Sequence, residues 1–318
     1  MKTILIYSNC HGEQLIKLFQ NHDYTKDKFI MNYLNNYENL NKQTVDVEHI
    51  KLLKKCDIFI YQPFNKNYEH SEYDIPKIKL YLKQETIIIK VNFYRFNGFW
   101  YDSNYSPYNG NNGFAFNISD NGSIHNSFIN FRGRKDEIKD KIDNLYINRN
   151  DILNNFNNEL EKFNTLDENS DVKMYNYFIN NYKKLYLFHD KYHPTNIFFY
   201  EIFIQLVLKL IDHQLPTNDF DFIKLLENYE MTHWATPVLP VIKKYLELTI
   251  PDKIFIFFPN RLYMDIYDYY FIRLSQNNLK DYLDTINFKY SSDEDKIIIH
   301  SNKDMNFKLR LYSNKYKK

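Results

Sequence analysis

With 318 residues, 44% of them apolar and 25% charged, the chain sits near globular averages, which excludes a disordered or fibrous molecule and leaves room for one large domain with an appendage or for two domains. A formal net charge of +1 provides no field over the whole surface to attract nucleic acid or an anionic membrane, so partners must be argued from a site. Two cysteines, Cys10 and Cys56, can build neither a disulfide framework nor a four-cysteine zinc site, and the wealth of Tyr, Phe and Asn is what A+T-rich coding imposes rather than a functional signal.

No basic-then-apolar leader precedes the first apolar run, so the cytosol is the expected compartment. That run, Met1 to Tyr7, reads as a strand and ends in the turn Ser8-Asn9-Cys10-His11-Gly12. Leu15, Ile16, Leu18 and Phe19 then recur at helical spacing, with Glu13, Gln14, Lys17 and Gln20 expected on the opposite, solvent face. Phe29–Tyr33, Asp57–Tyr61 and Thr86–Val91 read as further strands and Val47–Lys55 as a helix, an alternation that implies parallel βαβ units. From Tyr101 to Gly122 a polar, aperiodic stretch suggests a long surface loop, lid or linker. Helices are expected over Lys135–Leu145, Asp151–Phe163 and Val172–Tyr182, and a last short strand over Leu185–Phe188. The segment His189-Asp190-Lys191-Tyr192-His193-Pro194-Thr195 leads into an amphipathic helix, Asn196–Ile211, with Thr195 or Asn196 expected as a side-chain cap. Glu201, Gln205 and Lys209 interrupt that helix, so it is too short and polar to span a bilayer.

Gln214–Asn218 reads as a boundary, dividing a catalytic unit (1–214) from a smaller α+β unit (215–318). The latter is expected to hold a helix near Val241–Leu248, helical material between Met264 and Leu283, and strands near Lys253–Phe258, Asn287–Tyr290, Lys296–His300 and Phe307–Leu311. Lys315–Lys318 is a basic, solvated tail. The fold class is α/β: a three-layer parallel sheet of SGNH/flavodoxin-like type with a smaller C-terminal α+β appendage.

Ligands of parallel α/β sheets sit where loops leave the carboxyl ends of strands, and Cys10 lies at such an end. The helix that begins there offers free N–H groups and a positive dipole end, both favourable to a thiolate nucleophile; the alternative is a small buried apolar residue. Asp190 and His193 have a spacing that lets the carboxylate hold the imidazole in one tautomer while the ring serves a nucleophile elsewhere. Oxyanion donors would be the Cys10 backbone N–H, then the Gln62 amide and, third, Asn32. His11 is open between a second base or phosphate contact and a local hydrogen bond at the helix start. Arg132 and Arg134, with Lys135, suit phosphate geometry but also a solvated helix entry. Trp100 and Tyr101 could stack on a sugar ring or adenine, or pack like any aromatic side chain. His233-Trp234 and the Tyr263–Tyr270 run read as core or groove lining, His189 as structural and Cys56 as inert. No metal-ligand spacing, Gly-rich phosphate loop or paired-carboxylate signature is present.

An early strand-turn nucleophile, intervening βα units and a late Asp-x-x-His before a closing helix resemble the SGNH hydrolase-like fold. A closer resemblance is to the WcbI-type polysaccharide biosynthesis family. Its Gly-Asn-Cys-Gln is similar to Ser8-Asn9-Cys10-His11, its Gln-Pro to Gln62-Pro63 and its aromatic-x-Gly turn to Phe96-Asn97-Gly98. Asp171-Val172, Leu187-Phe188 and His193-Pro194-Thr195 match in order, so the resemblance spans about residues 1–212. Ser8 for Gly and His11 for Gln are departures beside the nucleophile, and the tail has no counterpart. The resemblance implies an acetyltransferase that uses acetyl-coenzyme A, without a metal, to modify a sugar or nucleotide-sugar in glycan assembly. From the residues alone, only acyl chemistry at Cys10, His193 and Asp190 follows. Two rivals stand beside transfer: an esterase or deacetylase on the same scaffold, and a non-enzymatic glycan-binding protein.

Overall fold

The computed structural model describes residues 1–64, 70–100, 135–216, 219–225 and 237–250, and short pieces at 254–256, 262–264, 266–267, 289–293, 296–300 and 306–310. Four strands, β1 (Lys2–Ser8), β2 (Phe29–Asn35), β3 (Ile58–Tyr61) and β4 (Ile87–Lys90), form a sheet in the order β2-β1-β3-β4. All three pairings are parallel. This is the flavodoxin-like doubly wound order as far as its fourth strand, as the α/β reading requires.

The central strand explains the layering. In β1 the run Ile4–Tyr7 is wholly buried, because a parallel strand covered on both faces must be apolar at every position rather than at alternate ones. Ile4 and Ile6 face one core with Leu15, Leu18 and Phe19 of α1 (Cys10–Asn21). Leu5 and Tyr7 face a second core with Leu53 of α2 (Val47–Lys55) and Ile78 of α3 (Ile75–Lys79). Two helices follow from the middle of the chain, α4 (Lys135–Asp143) and α5 (Arg149–Glu168), then α6 (Tyr175–Asn181). The first core continues through aromatic packing of Phe96 on Phe156 and Phe178, and through α7 (Asn196–Ile211), which lies against α1. The buried carboxylate of Asp167, in α5, accepts from the backbone N–H groups of Met174 (2.6 Å) and Tyr175 (3.1 Å), tying the start of α6 to the core, while the Tyr94 hydroxyl beside it donates to the Val172 carbonyl (2.6 Å).

Several expectations are corrected. Gln14 is buried, not solvent-facing, because its side chain donates to Asn196 at the start of α7. The strand expected over Leu185–Phe188 is instead β5 (Phe188–Asp190), and it pairs with β6 (His193–Pro194) in a tight antiparallel hairpin outside the parallel sheet. Thr195 does not cap α7 with its side chain; its hydroxyl donates to the Tyr186 carbonyl instead (2.9 Å).

Beyond residue 214 come α8 (Phe220–Leu225) and α9 (Pro240–Leu246), and Leu215, Ile223, Val238, Ile242 and Leu246 join the first core. The pieces further on are an antiparallel pair, β7 (Ile254–Ile256) with β8 (Leu262–Met264), and an antiparallel sheet of β9 (Lys289–Asp293), β10 (Lys296–His300) and β11 (Asn306–Arg310). The expected loop Tyr101–Gly122, Arg132, Arg134, His233-Trp234, most of the helical stretch after Met264 and the tail Lys315–Lys318 lie outside the described residues. Among the described residues no helix is long and apolar enough to cross a membrane.

Candidate active site

Cys10 is the first residue of α1, at the carboxyl rim of β1, and is exposed. The turn that presents it is held from both sides. From the β2 side, the Tyr33 hydroxyl donates to the Asn9 carbonyl (2.9 Å) and the Asn36 N–H to the Ser8 carbonyl (3.1 Å). From the β3 side, the Gln62 side-chain oxygen accepts from the Ser8 hydroxyl (2.7 Å) and from the Asn9 N–H (3.1 Å). Asn9 is the helix cap, its side chain accepting from the His11 N–H (3.0 Å). Gly12 lets the helix start press onto β1: a Cβ there would stand 2.9 Å from an Ile6 methyl and from the Tyr33 ring.

The second half of the site is the β5–β6 hairpin. Asp190 is buried and its Oδ1 accepts from the Tyr192 N–H (2.8 Å), the His193 N–H (3.1 Å) and His193 Nδ1 (2.8 Å), while Oδ2 lies 2.7 Å from Nδ1. A carboxylate only accepts, so Nδ1 carries a proton and Nε2 is left for other partners. Burial by itself would lower the His193 pKa, but the hydrogen bond to Asp190, then one to the Cys10 side chain, outweigh it and raise the imidazole to about 9. The segments that carry the thiol and the imidazole are joined at the rim, where His11 Nε2 lies 3.1 Å from the Tyr192 carbonyl, although the chain separates them widely.

The remaining candidates divide. Gln62 is at the site: a backbone N–H can only donate, so the atom facing Asn9 must be the amide oxygen, and the NH2 group is turned away with no partner among the described residues. Asn32 is not brought there; it pairs with Leu5 in mid-strand, whereas the rim is reached at Ser8 opposite Asn35. Trp100 is buried in the first core against Phe99 (5.8 Å between rings), not displayed on a loop. His11 is buried too, and its bond is not local: Nε2 lies 3.1 Å from the Tyr192 carbonyl, across 181 residues of sequence. Burial pushes its pKa down to about 3, against the pull of that carbonyl, so the ring is neutral. Cys56 is buried, with its thiol pushed up to about 11, in keeping with an inert side chain. Sequence does not single out Tyr33 and Tyr192, because a hydroxyl near a strand end and a backbone carbonyl carry no compositional signal. No group of three or more His, Cys, Asp or Glu suited to a metal ion occurs among the described residues.

Comparison with known proteins agrees with the fold and with the family resemblance. The family model "Polysaccharide biosynthesis enzyme WcbI" matches residues 3–214. A solved structure of WcbI, described as a novel polysaccharide biosynthesis enzyme and as the native protein without a disulfide bond between coenzyme A and one of its cysteines, aligns with a TM-score of 0.58. Its sequence identity is 14%, and the alignment covers 89% of this chain and 92% of that one. No curated protein matches by sequence.

Proposed function

Because the chain belongs to the family of the polysaccharide biosynthesis enzyme WcbI, we propose that it transfers an acetyl group from acetyl-coenzyme A to a hydroxyl or amino group of a free or nucleotide-activated sugar. The observation that carries this reading is an exposed thiol at a helix N-terminus beside an imidazole that a buried carboxylate holds in one tautomer. A solved relative described as lacking a disulfide bond between coenzyme A and one of its cysteines supports placing the coenzyme's sulfur next to Cys10.

In the proposed first half-reaction Cys10 enters as a thiolate, its proton having passed to His193. Its sulfur bonds to the acetyl carbonyl carbon, the thioester C–S bond breaks, and His193 returns the proton to the departing coenzyme thiolate. The developing oxyanion lies between the Cys10 backbone N–H and the free amide N–H groups of Gln62. In the second half-reaction neutral His193 takes the proton of the sugar group as its oxygen or nitrogen attacks the acetyl-cysteine, and Cys10 leaves as thiolate. Asp190 stabilises the imidazolium formed on Nδ1. Arg132 and Arg134 are the proposed phosphate contacts.

Mixing the protein with acetyl-coenzyme A without acceptor tests this. The reading expects about one equivalent of coenzyme A thiol per chain and an acetyl group on Cys10 by peptide mass spectrometry, both lost in Cys10→Ser. Coenzyme A that neither binds nor is released, with full sugar modification retained in Cys10→Ala and His193→Ala, would remove it. Turnover of an aryl acetate without coenzyme A would point to hydrolysis instead.

A further inference from the structure

We propose that His11 is a positioning residue: its Nε2–H donates to the Tyr192 carbonyl, clamps it and thereby sets the distance between Cys10 and His193. The proposal rests on the acyl-transfer reading of the site and adds what aligns its two halves.

The geometry is specific. His11 follows the thiol directly on α1, and Tyr192 directly precedes the imidazole on the hairpin. The bond of 3.1 Å between them therefore joins the two segments one residue away from each reacting side chain. A carbonyl cannot donate, so the nitrogen facing it bears the hydrogen. The ring cannot swing away, since Phe93 packs on it at 4.5 Å and the edge of Phe199 at 5.2 Å, and Phe93 in turn stacks on Tyr192 at 6.3 Å. Its Nε2–H is taken up by the Tyr192 carbonyl, which argues against a role as second base or phosphate contact.

Neutrality is part of the device. His193 faces Asp190 and Cys10, and it holds its proton to about 9; a second cation beside it would repel that proton. Burial removes this conflict by keeping His11 uncharged. Among the described residues the hairpin's own strands pair over two positions, the Thr195 N–H donates to the Leu187 carbonyl (3.0 Å), and the Lys191 carbonyl accepts from the Phe96 N–H (2.9 Å). Misplacing a catalytic group by about 1 Å can cost about 100-fold in rate.

Two amides of similar chemistry separate the clamp from mere packing. In His11→Gln the side-chain NH2 reaches far enough to donate to the Tyr192 carbonyl; in His11→Asn it is one methylene short. Single-turnover release of coenzyme A from acetyl-coenzyme A and NMR titration of carbon-13-labelled histidine, with the His193 signal assigned by its loss in His193→Ala, are compared in the full chain. The clamp predicts that His11→Gln stays within about threefold of wild type with His193 still titrating at about 9. In His11→Asn release slows about 100-fold, and the His193 inflection moves down by about one pH unit or more toward its ordinary value. Equal release and equal titration in the two variants overturn the proposal, as does slow release in both with an unmoved His193. If Cys10→Ala and His193→Ala prove active, the acyl-transfer reading fails on its own; if they are dead while His11→Asn is normal, only the clamp fails.

Discussion

Replacing Asp190 by asparagine keeps the shape of the hairpin but removes the charge that His193 Nδ1 faces at 2.7 Å. The amide oxygen can still accept from the Tyr192 and His193 N–H groups, so the turn should survive. What goes is the stabilised imidazolium. Raising a histidine from its ordinary 6.5 to about 9 corresponds to roughly 3 kcal/mol of folding free energy. The sign follows from the raised value: this stability is fully present below about 6.5, where the unfolded chain also binds the proton, and is lost as pH rises through about 9. Wild type should therefore melt on the order of 5 °C above Asp190→Asn at pH 6, and the gap should narrow steadily up to pH 10. Thermal melts by circular dichroism at matched ionic strength measure it, with the His193 titration as the direct check. A gap that stays constant from pH 6 to 10 would refute the account, because an interaction that only shapes the turn does not depend on the imidazole's proton.

In the same single-turnover assay, Gln62→Glu should retain the acceptor for Ser8 and Asn9 and fold, yet slow coenzyme A release by roughly 100-fold or more, since the amide donors proposed to face the oxyanion would be gone; release near the wild-type rate would exclude Gln62 from that role. Gly12→Ala should cost roughly 1–3 kcal/mol by overpacking against Ile6 and Tyr33, read as a melting temperature a few degrees lower. Asp167→Ala should cost roughly 3 kcal/mol in urea denaturation, because the buried N–H groups of Met174 and Tyr175 lose their acceptor; a midpoint close to wild type would mean that water replaces it.

Local patterns are legible in the sequence in proportion to how local their causes are. The helices Val47–Lys55 and Asn196–Ile211 have the bounds that the sequence predicts, because apolar spacing and neighbouring turn residues determine them. The turn carrying Cys10 and the Asp190–His193 spacing are visible for the same reason. What the sequence misplaces depends on partners far along the chain. Gln14 reads as polar and therefore exposed until Asn196 arrives beside it. Asn32 reads as a strand end until pairing with Leu5 puts it in mid-sheet, since strand register is not encoded in either strand alone. Trp100 reads as part of a polar loop, yet it ends an aromatic segment that the first core absorbs. His11 offers two roles, and its long-range bond to Tyr192 matches neither.

The wide separation of the two halves has a consequence for biosynthesis. The thiol-bearing turn leaves the ribosome early, while its imidazole partner follows only after the chain has grown by the 181 positions that separate His11 from Tyr192. At about 5–20 residues per second that interval is roughly ten to forty seconds. A prematurely terminated product would lack Asp190 and His193, so the proposed acyl transfer would have to wait until the hairpin has been made and packed at the rim.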